Sequence, residues 1–180
     1  MRTLIIMALA VGCVTSAQGS TLQRLSLTDM IQKSTMIVRG AVQPGSSAAL
    51  RGSIIYTHYQ LSVTTAFKGT PGQFVDIAVP GGVLNGMAQP VAGAPTLAPG
   101  HDYVIFLWTS KSGLTQVIGL SQGLFNVTTN GQGQVIVSRE AADEAMLNSS
   151  GQKVSDSNLQ MPLAQLAAKI QAVLAGGTAQ

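Results

Sequence analysis

Asp102-Tyr103-Val104-Ile105-Phe106-Leu107-Trp108-Thr109 decides the fold. In an extended strand Tyr103, Ile105 and Leu107 share one face and Val104, Phe106 and Trp108 the other, and all six are apolar. A strand apolar on both faces belongs at the centre of a sheet with cover on both sides. Strand signals of the half-buried kind precede it. Met36 to Val42 is the first. The long run Ile54 to Phe67 follows a Pro44-Gly45-Ser46-Ser47 loop, with Ile55, Tyr59, Leu61, Val63 and Phe67 on one face and Tyr56, His58, Gln60, Ser62 and Thr64 on the other. Phe74 to Val79 is the third, with Val75, Ile77 and Val79 inward and Asp76 outward.

Downstream, the turn Ser110-Lys111-Ser112-Gly113 leads to Leu114 to Leu120, then Gln122-Gly123 to Leu124 to Thr128, and Asn130-Gly131 reads as a type I′ hairpin into Val135 to Ser138. Helices flank these strands. Ser26-Leu27-Thr28-Asp29 is a capping box before Met30 and Ile31. At the other end Pro162 opens a helix whose stripe is Leu163, Leu166, Ala167, Ile170, Val173 and Leu174, and Gly176-Gly177 ends it. A short helix over Glu140 to Leu147 and a polar, Ser-rich linker from Asn148 to Gln160 complete the pattern. Six to seven short strands with turns between them predict a mainly β fold. Its expected form is an antiparallel, OB-like barrel, closed or partly open, with a short N-terminal helix and a C-terminal amphipathic helix. The expected organisation is a barrel over residues 25–139, a short helix and linker over 140–160, and the final helix over 161–176.

Residues 1–19 read as an export signal: Arg2, an apolar run from Leu4 to Val14, and Thr15-Ser16-Ala17 as a cleavage site. The run is too short for a membrane span, which needs about 20 apolar residues. The alternative is a lipoprotein leader, since Ala10-Val11-Gly12-Cys13 approximates a lipobox in which Cys13 is lipidated. The expected address is therefore secreted or periplasmic, with a lipid-anchored envelope form as the alternative. Cleavage near Ala17 removes the sole cysteine, so a disulfide framework is excluded.

Charged residues are only 9% of the chain, against about 25% in typical soluble proteins. Lysines and arginines are scattered singly, which excludes a basic track for nucleic acid. Neither G-x-S-x-G, H-E-x-x-H nor a P-loop occurs. No cofactor, metal or transmembrane span is implied for the mature chain.

The succession Ile37-Val38-Arg39-Gly40, Phe67-Lys68-Gly69, Pro80-Gly81-Gly82 with Gly86, Val91-Ala92-Gly93-Ala94-Pro95, Pro99-Gly100, Tyr103-Val104-Ile105-Phe106-Leu107 and Gly119-Leu120-Ser121-Gln122-Gly123-Leu124-Phe125 spans Leu27 to Val137. It resembles an uncharacterised family of small secreted bacterial β-barrel proteins, whose module also stands ahead of matrixin-type metalloprotease domains. More distantly it is similar to the OB-like barrel of netrin and tissue-inhibitor-of-metalloprotease domains. Those inhibitors chelate the protease zinc through a free N-terminal cysteine. A mature chain starting near Gln18 lacks one, so the resemblance does not extend to that mechanism.

The connection from Pro80 to Gly100 is the candidate interaction loop, with Gly81, Gly82, Gly86, Gly93, Pro95 and Gly100 shaping it. It is too long for a mere connector, and loops held on a rigid scaffold often carry recognition. His101-Asp102 is the alternative, catalytic site, a base or ligand beside a carboxylate. Against it, a polar turn before a strand commonly holds such residues, and His58 reads as a solvated strand residue. Asp76, Asp102, Glu140, Asp143 and Glu144 are the carboxylates open to a glycosidase-like pair, with Glu140, Asp143 and Glu144 more simply a solvated helix face. The expected function is a secreted, non-catalytic β-barrel module that meets an unknown protein or cell-surface partner through residues 81–100. The alternative is a hydrolase or protease-associated factor using His101 and Asp102.

Overall fold

The computed structural model describes residues 21–142 and 144–177. The leader over residues 1–19, the Cys13 lipidation reading and Asp143 lie outside them. The chain runs β1 (Leu22–Gln23), α1 (Leu27–Lys33), β2 (Met36–Arg51), β3 (Ile54–Lys68), β4 (Phe74–Pro80), β5 (Gly82–Leu84), β6 (Met87–Gln89), β7 (Asp102–Thr109), β8 (Thr115–Val117), a 3-10 turn (Leu120–Gly123), β9 (Leu124–Thr129), β10 (Val135–Arg139), β11 (Met146–Leu147), β12 (Lys153–Val154), β13 (Leu159–Pro162) and α2 (Leu163–Leu174).

The main sheet is antiparallel throughout, ordered β13-β10-β9-β7-β2-β3-β4, with β8 pairing the far half of β7. β7 stands in its middle, where its two apolar faces require it. One face sends Tyr103, Ile105 and Leu107 into a core with Val38, Leu61 and Ile77, closed over by Leu97 from the long connection. The other sends Val104 and Phe106 against Phe125 and Val137, under Met30 and Ile31 of α1 and Leu166, Ile170 and Val173 of α2. The Phe106 and Phe125 rings meet at 5.5 Å.

The start of α1 and the end of α2 are built as the sequence predicts, while Pro162 closes β13 and stands just before α2 and not in its first turn. Asp29 N–H donates to Ser26 Oγ at 3.0 Å and Ser26 N–H donates to Asp29 Oδ2 at 3.1 Å, which closes the capping box. Lys68 Nζ donates to the Ile31 and Gln32 carbonyls at 2.7 and 3.0 Å, placing a cation at the C-terminal turn of α1. α2 ends in a Schellman motif: Gly177 N–H donates to Ala172 O and Gly176 N–H to Val173 O. The stripe of α2 packs on the sheet, with Leu174 left exposed.

Several expectations are corrected. The sheet is not a closed barrel: β4 comes beside β8, but no ladder joins them among the described strands. A side sheet, β1-β11-β12, pairs β1 with β11 in parallel and β11 with β12 antiparallel. Pro44 to Ser47 is not a loop between strands. β2 continues through it as a bulge, in which Gln43, Pro44 and Gly45 stand opposite Gln60 alone. Two further register shifts, at Ile37/Val38 and Arg39/Gly40, turn Phe67 into the helix-covered core and away from Leu61.

The Asn130-Gly131 turn is longer than a two-residue type I′ hairpin. Asn130 N–H donates to Gln134 O, Asn130 Oδ1 accepts from Gln132 N–H and Gln134 N–H, and Gly133, not Gly131, takes the left-handed conformation. The same device recurs at Asn148, whose Oδ1 accepts from Ser150 N–H and Gln152 N–H.

The described residues of 140–160 form neither a helix nor a linker. The described part of Glu140 to Leu147 holds no helix and ends in β11, and the polar stretch after it supplies β12 and β13. The reason is a buried ion pair that composition conceals: Arg139, on β10, grips Asp156. β13 pairs with β10 through Arg139↔Leu159, so the expected boundary after residue 139 falls inside one sheet.

Candidate interaction surface

Residues 81–100 are ordered in three parts. The first is a hairpin, β5 and β6, turned by Asn85-Gly86. Both residues have positive φ, 50° and 80°, the type I′ geometry that Asn-Gly favours. Its base is fastened to β3. Gly81 N–H donates to Ile55 O at 2.7 Å, and Thr57 Oγ1 donates to Gly81 O at 2.8 Å. Gln89 then accepts from Ile55 N–H at 2.6 Å through Oε1 and donates to Ser53 O at 3.1 Å through Nε2. The second part is a turn in which Ala94 N–H donates to Val91 O, with Gly93 set against the Glu144 carboxylate. The third returns to the core: Pro95 and Leu97 are buried, and Gly100 N–H donates to Val42 O at 2.8 Å.

The six residues expected to shape a recognition loop therefore divide. Gly81, Gly82, Gly93, Pro95 and Gly100 anchor and bend the segment, while Gly86 alone among them sits at a free tip. What the tip presents is apolar. Val83 is 64% exposed and Met87 63%. Leu50 and Ile54, at the adjoining β2–β3 tip, are the next members of the same end of the molecule, held there because Gln89 ties the hairpin to Ser53 and Ile55. Four of the seven large apolar side chains left exposed among the described residues thus lie on these two hairpins. Residues 82–89 carry no charge.

The structure does not join His101 to Asp102. Asp102 Oδ2 accepts from Arg39 Nε at 2.9 Å and Nη2 at 2.7 Å. The exposed His101 ring turns its Nδ1 to the Pro99 carbonyl, 3.3 Å away, and lies 6.3 Å from the Tyr103 ring. Asp102 is therefore a cross-strand ion-pair partner in this geometry. The other histidine is the one with a carboxylate, since His58 Nδ1 lies 2.8 Å from Asp76 Oδ2 across β3 and β4. Alternation places both side chains on the outer face, but only the register, His58↔Ala78 and Gln60↔Asp76, makes them diagonal neighbours. They line a shallow polar groove of about 290 Å³ opened by the β2 bulge, with Gln43, Ser46, Ser47 and Gln60. Ser47 faces His58 in register, yet no hydrogen bond joins its hydroxyl to the ring among the described contacts. The pair braces the outer strand β4.

Among the described residues no three His, Cys, Asp or Glu side chains gather as metal ligands, and no helix is long and apolar enough to cross a membrane. Compared with known proteins, the chain matches no family model and no curated sequence.

Proposed function

We propose that this chain is an exported, non-catalytic β-sheet module that binds a protein or cell-surface partner through the 82–89 hairpin and the neighbouring β2–β3 tip. The observation that carries the reading is the exposure of Val83 and Met87 on an uncharged hairpin whose base is fixed by four hydrogen bonds to Ser53, Ile55 and Thr57. Apolar side chains gathered at one end of a domain mark contact sites more often than scattered ones do. A tip held on a rigid base also loses little conformational freedom on binding. The export leader and the resemblance to secreted bacterial β-barrel modules support the address. The curl that brings β4 beside β8 supports a partly open, OB-like arrangement.

Replacing Val83 and Met87 together by Ser tests the reading. Both are surface positions, so stability is expected to stay within about 0.5 kcal/mol of the parent. Recovery of the native partner by the immobilised protein is expected to fall about tenfold or more, the equivalent of about 1.4 kcal/mol. Unchanged recovery by the double variant, or an equal loss with Phe74→Ser at the exposed start of β4, would remove the hairpin from the interface.

A further inference from the structure

We infer that the groove beside Trp108 is a binding site for the pyranose ring of a neutral sugar. β7 sends Val104, Phe106 and Trp108 to one face, and the first two are fully buried beneath α1 and α2. Trp108 lies beyond that cover and is 44% exposed, contrary to the two-sided burial its strand predicts. It forms one wall of a groove of about 350 Å³ whose other walls include Leu25, Ile118 and Gln122. That volume is at the small end of the range for ligand sites, about 300–1,000 Å³.

The lining defines the ligand. It contains no Asp, Glu, Lys, Arg or His, so an ion entering it would lose water and gain no counter-charge. It offers an aromatic face beside amides. Gln116 stands directly opposite Trp108 on β8, which puts the two side chains next to each other on one face of the sheet, and Gln23 lies at the rim. A pyranose presents C–H groups on its faces and hydroxyls around its edge. The former suit an indole face, and the latter suit a primary amide, which both donates and accepts. A wholly apolar ligand would use the indole and desolvate the amides without replacing their hydrogen bonds.

The groove is also built before any ligand arrives. Gln122 is buried, with Oε1 accepting from Leu25 N–H at 2.8 Å and Nε2 donating to Gln23 O at 3.0 Å, and so pins β1 to the 3-10 turn. Beside it Leu120 holds a left-handed φ of 57°, a conformation that leucine avoids and that tends to concentrate at ligand sites. The groove shares no residue with the hairpin surface, so this inference stands apart from the proposed function.

Trp108 is the sole tryptophan of the sequence, so fluorescence excited at the red edge, where indole absorbs and the three tyrosines do not, reports this groove alone. Cellotriose, maltotriose and triacetylchitotriose, titrated separately into the full protein, are the probes. At least one is expected to give a saturable blue shift and about twofold protection from acrylamide quenching, with a midpoint in the range of about 1 mM. Gln116→Ala is expected to weaken that midpoint about fivefold or more, or roughly 1 kcal/mol, with an unchanged melting temperature. Trp108→Ala, checked for folding by circular dichroism, is expected to abolish the heat of binding in calorimetry. Three results would overturn the inference: no saturable change with any of the three sugars, a response to a tetraproline peptide and to none of the sugars, or sugar binding that survives both substitutions.

Discussion

Asp156→Asn is expected to lower the unfolding free energy by about 3–5 kcal/mol at neutral pH, the cost of leaving a buried charge without its partner. The Asp156 side chain is 1% exposed and that of Arg139 6%. Arg139 donates to its two carboxylate oxygens at 2.6 and 3.1 Å, Ala142 N–H donates at 3.0 Å, and Arg24 Nε lies 3.7 Å away. Asparagine keeps the shape and removes the charge, so the guanidinium stays buried, its Nε already lacking a partner. The damage would spread through the described residues of 140–160, because this pair fastens Asp156 to β10 and the Asn158 Oδ1 bond to Ala141 N–H ties the two ends of the same segment together. Urea melts of parent and variant measure the difference.

The same carboxylate fixes a sign for the pH dependence. Burial pushes the Asp156 pKa up, but hydrogen bonds from Arg139 and from the Ala142 and Ser157 backbones outweigh it, and the pKa ends below the ordinary carboxylate value. A pKa lower in the folded than in the unfolded chain contributes stability above the unfolded value and loses it as pH falls through the folded one. The parent should therefore weaken on acidification below the usual carboxylate range. Asp156→Asn should lack that part of the slope, and parallel curves for the two proteins would refute the assignment.

Gly40→Val is expected to cost about 3 kcal/mol or more, at or beyond the upper end of overpacking effects. A Cβ at Gly40 would overlap the Ser62 carbonyl oxygen and come within 2.9 Å of the Ser62 carbonyl carbon and 3.0 Å of Leu61 Cγ. Two of these atoms are backbone of the paired strand and cannot rotate away. Gly40 lies at a register shift of β2 against β3, while its other edge pairs with Tyr103 of β7. A side chain there must part the central ladder. Gly131→Ala is the matched control: its added methyl meets nothing within 4 Å and its φ is not positive, so stability should hold or rise slightly. Equal urea midpoints for Gly40→Val and the parent would show that the strands have room to spare at this point.

The parts of the fold readable from the chain are those in which one segment carries its own signal. β7 announces its central place by being apolar on both faces, Ser26 and Asp29 spell out a cap, and Gly176-Gly177 marks the end of the last helix. Residues 140–160 carry no such signal. Their strands are two to four residues long, too short for alternation to register, and their order rests on Arg139 meeting a carboxylate 17 positions away. Barrel closure was not legible either, since strand counts do not say whether the last edges meet, and β4 and β8 approach without pairing. The candidate surface was half legible. Gly and Pro content located the 81–100 segment, yet most of those residues turned out to anchor it. The contact side chains, Val83 and Met87, have no distinguishing mark until the hairpin lifts them from the core. Trp108 reads as buried because alternation cannot show where the helices that cover its face end.

The hairpin interface is tested most directly by site-specific photo-crosslinking in the native setting, with benzoylphenylalanine placed in turn at Val83, at Met87 and at Gln132 on the Asn130 turn, which belongs to neither hairpin of the proposed surface. An interface at the hairpin gives one recurring crosslinked species from positions 83 and 87 and none from 132. The same species from all three positions, or none from 83 and 87, would contradict it.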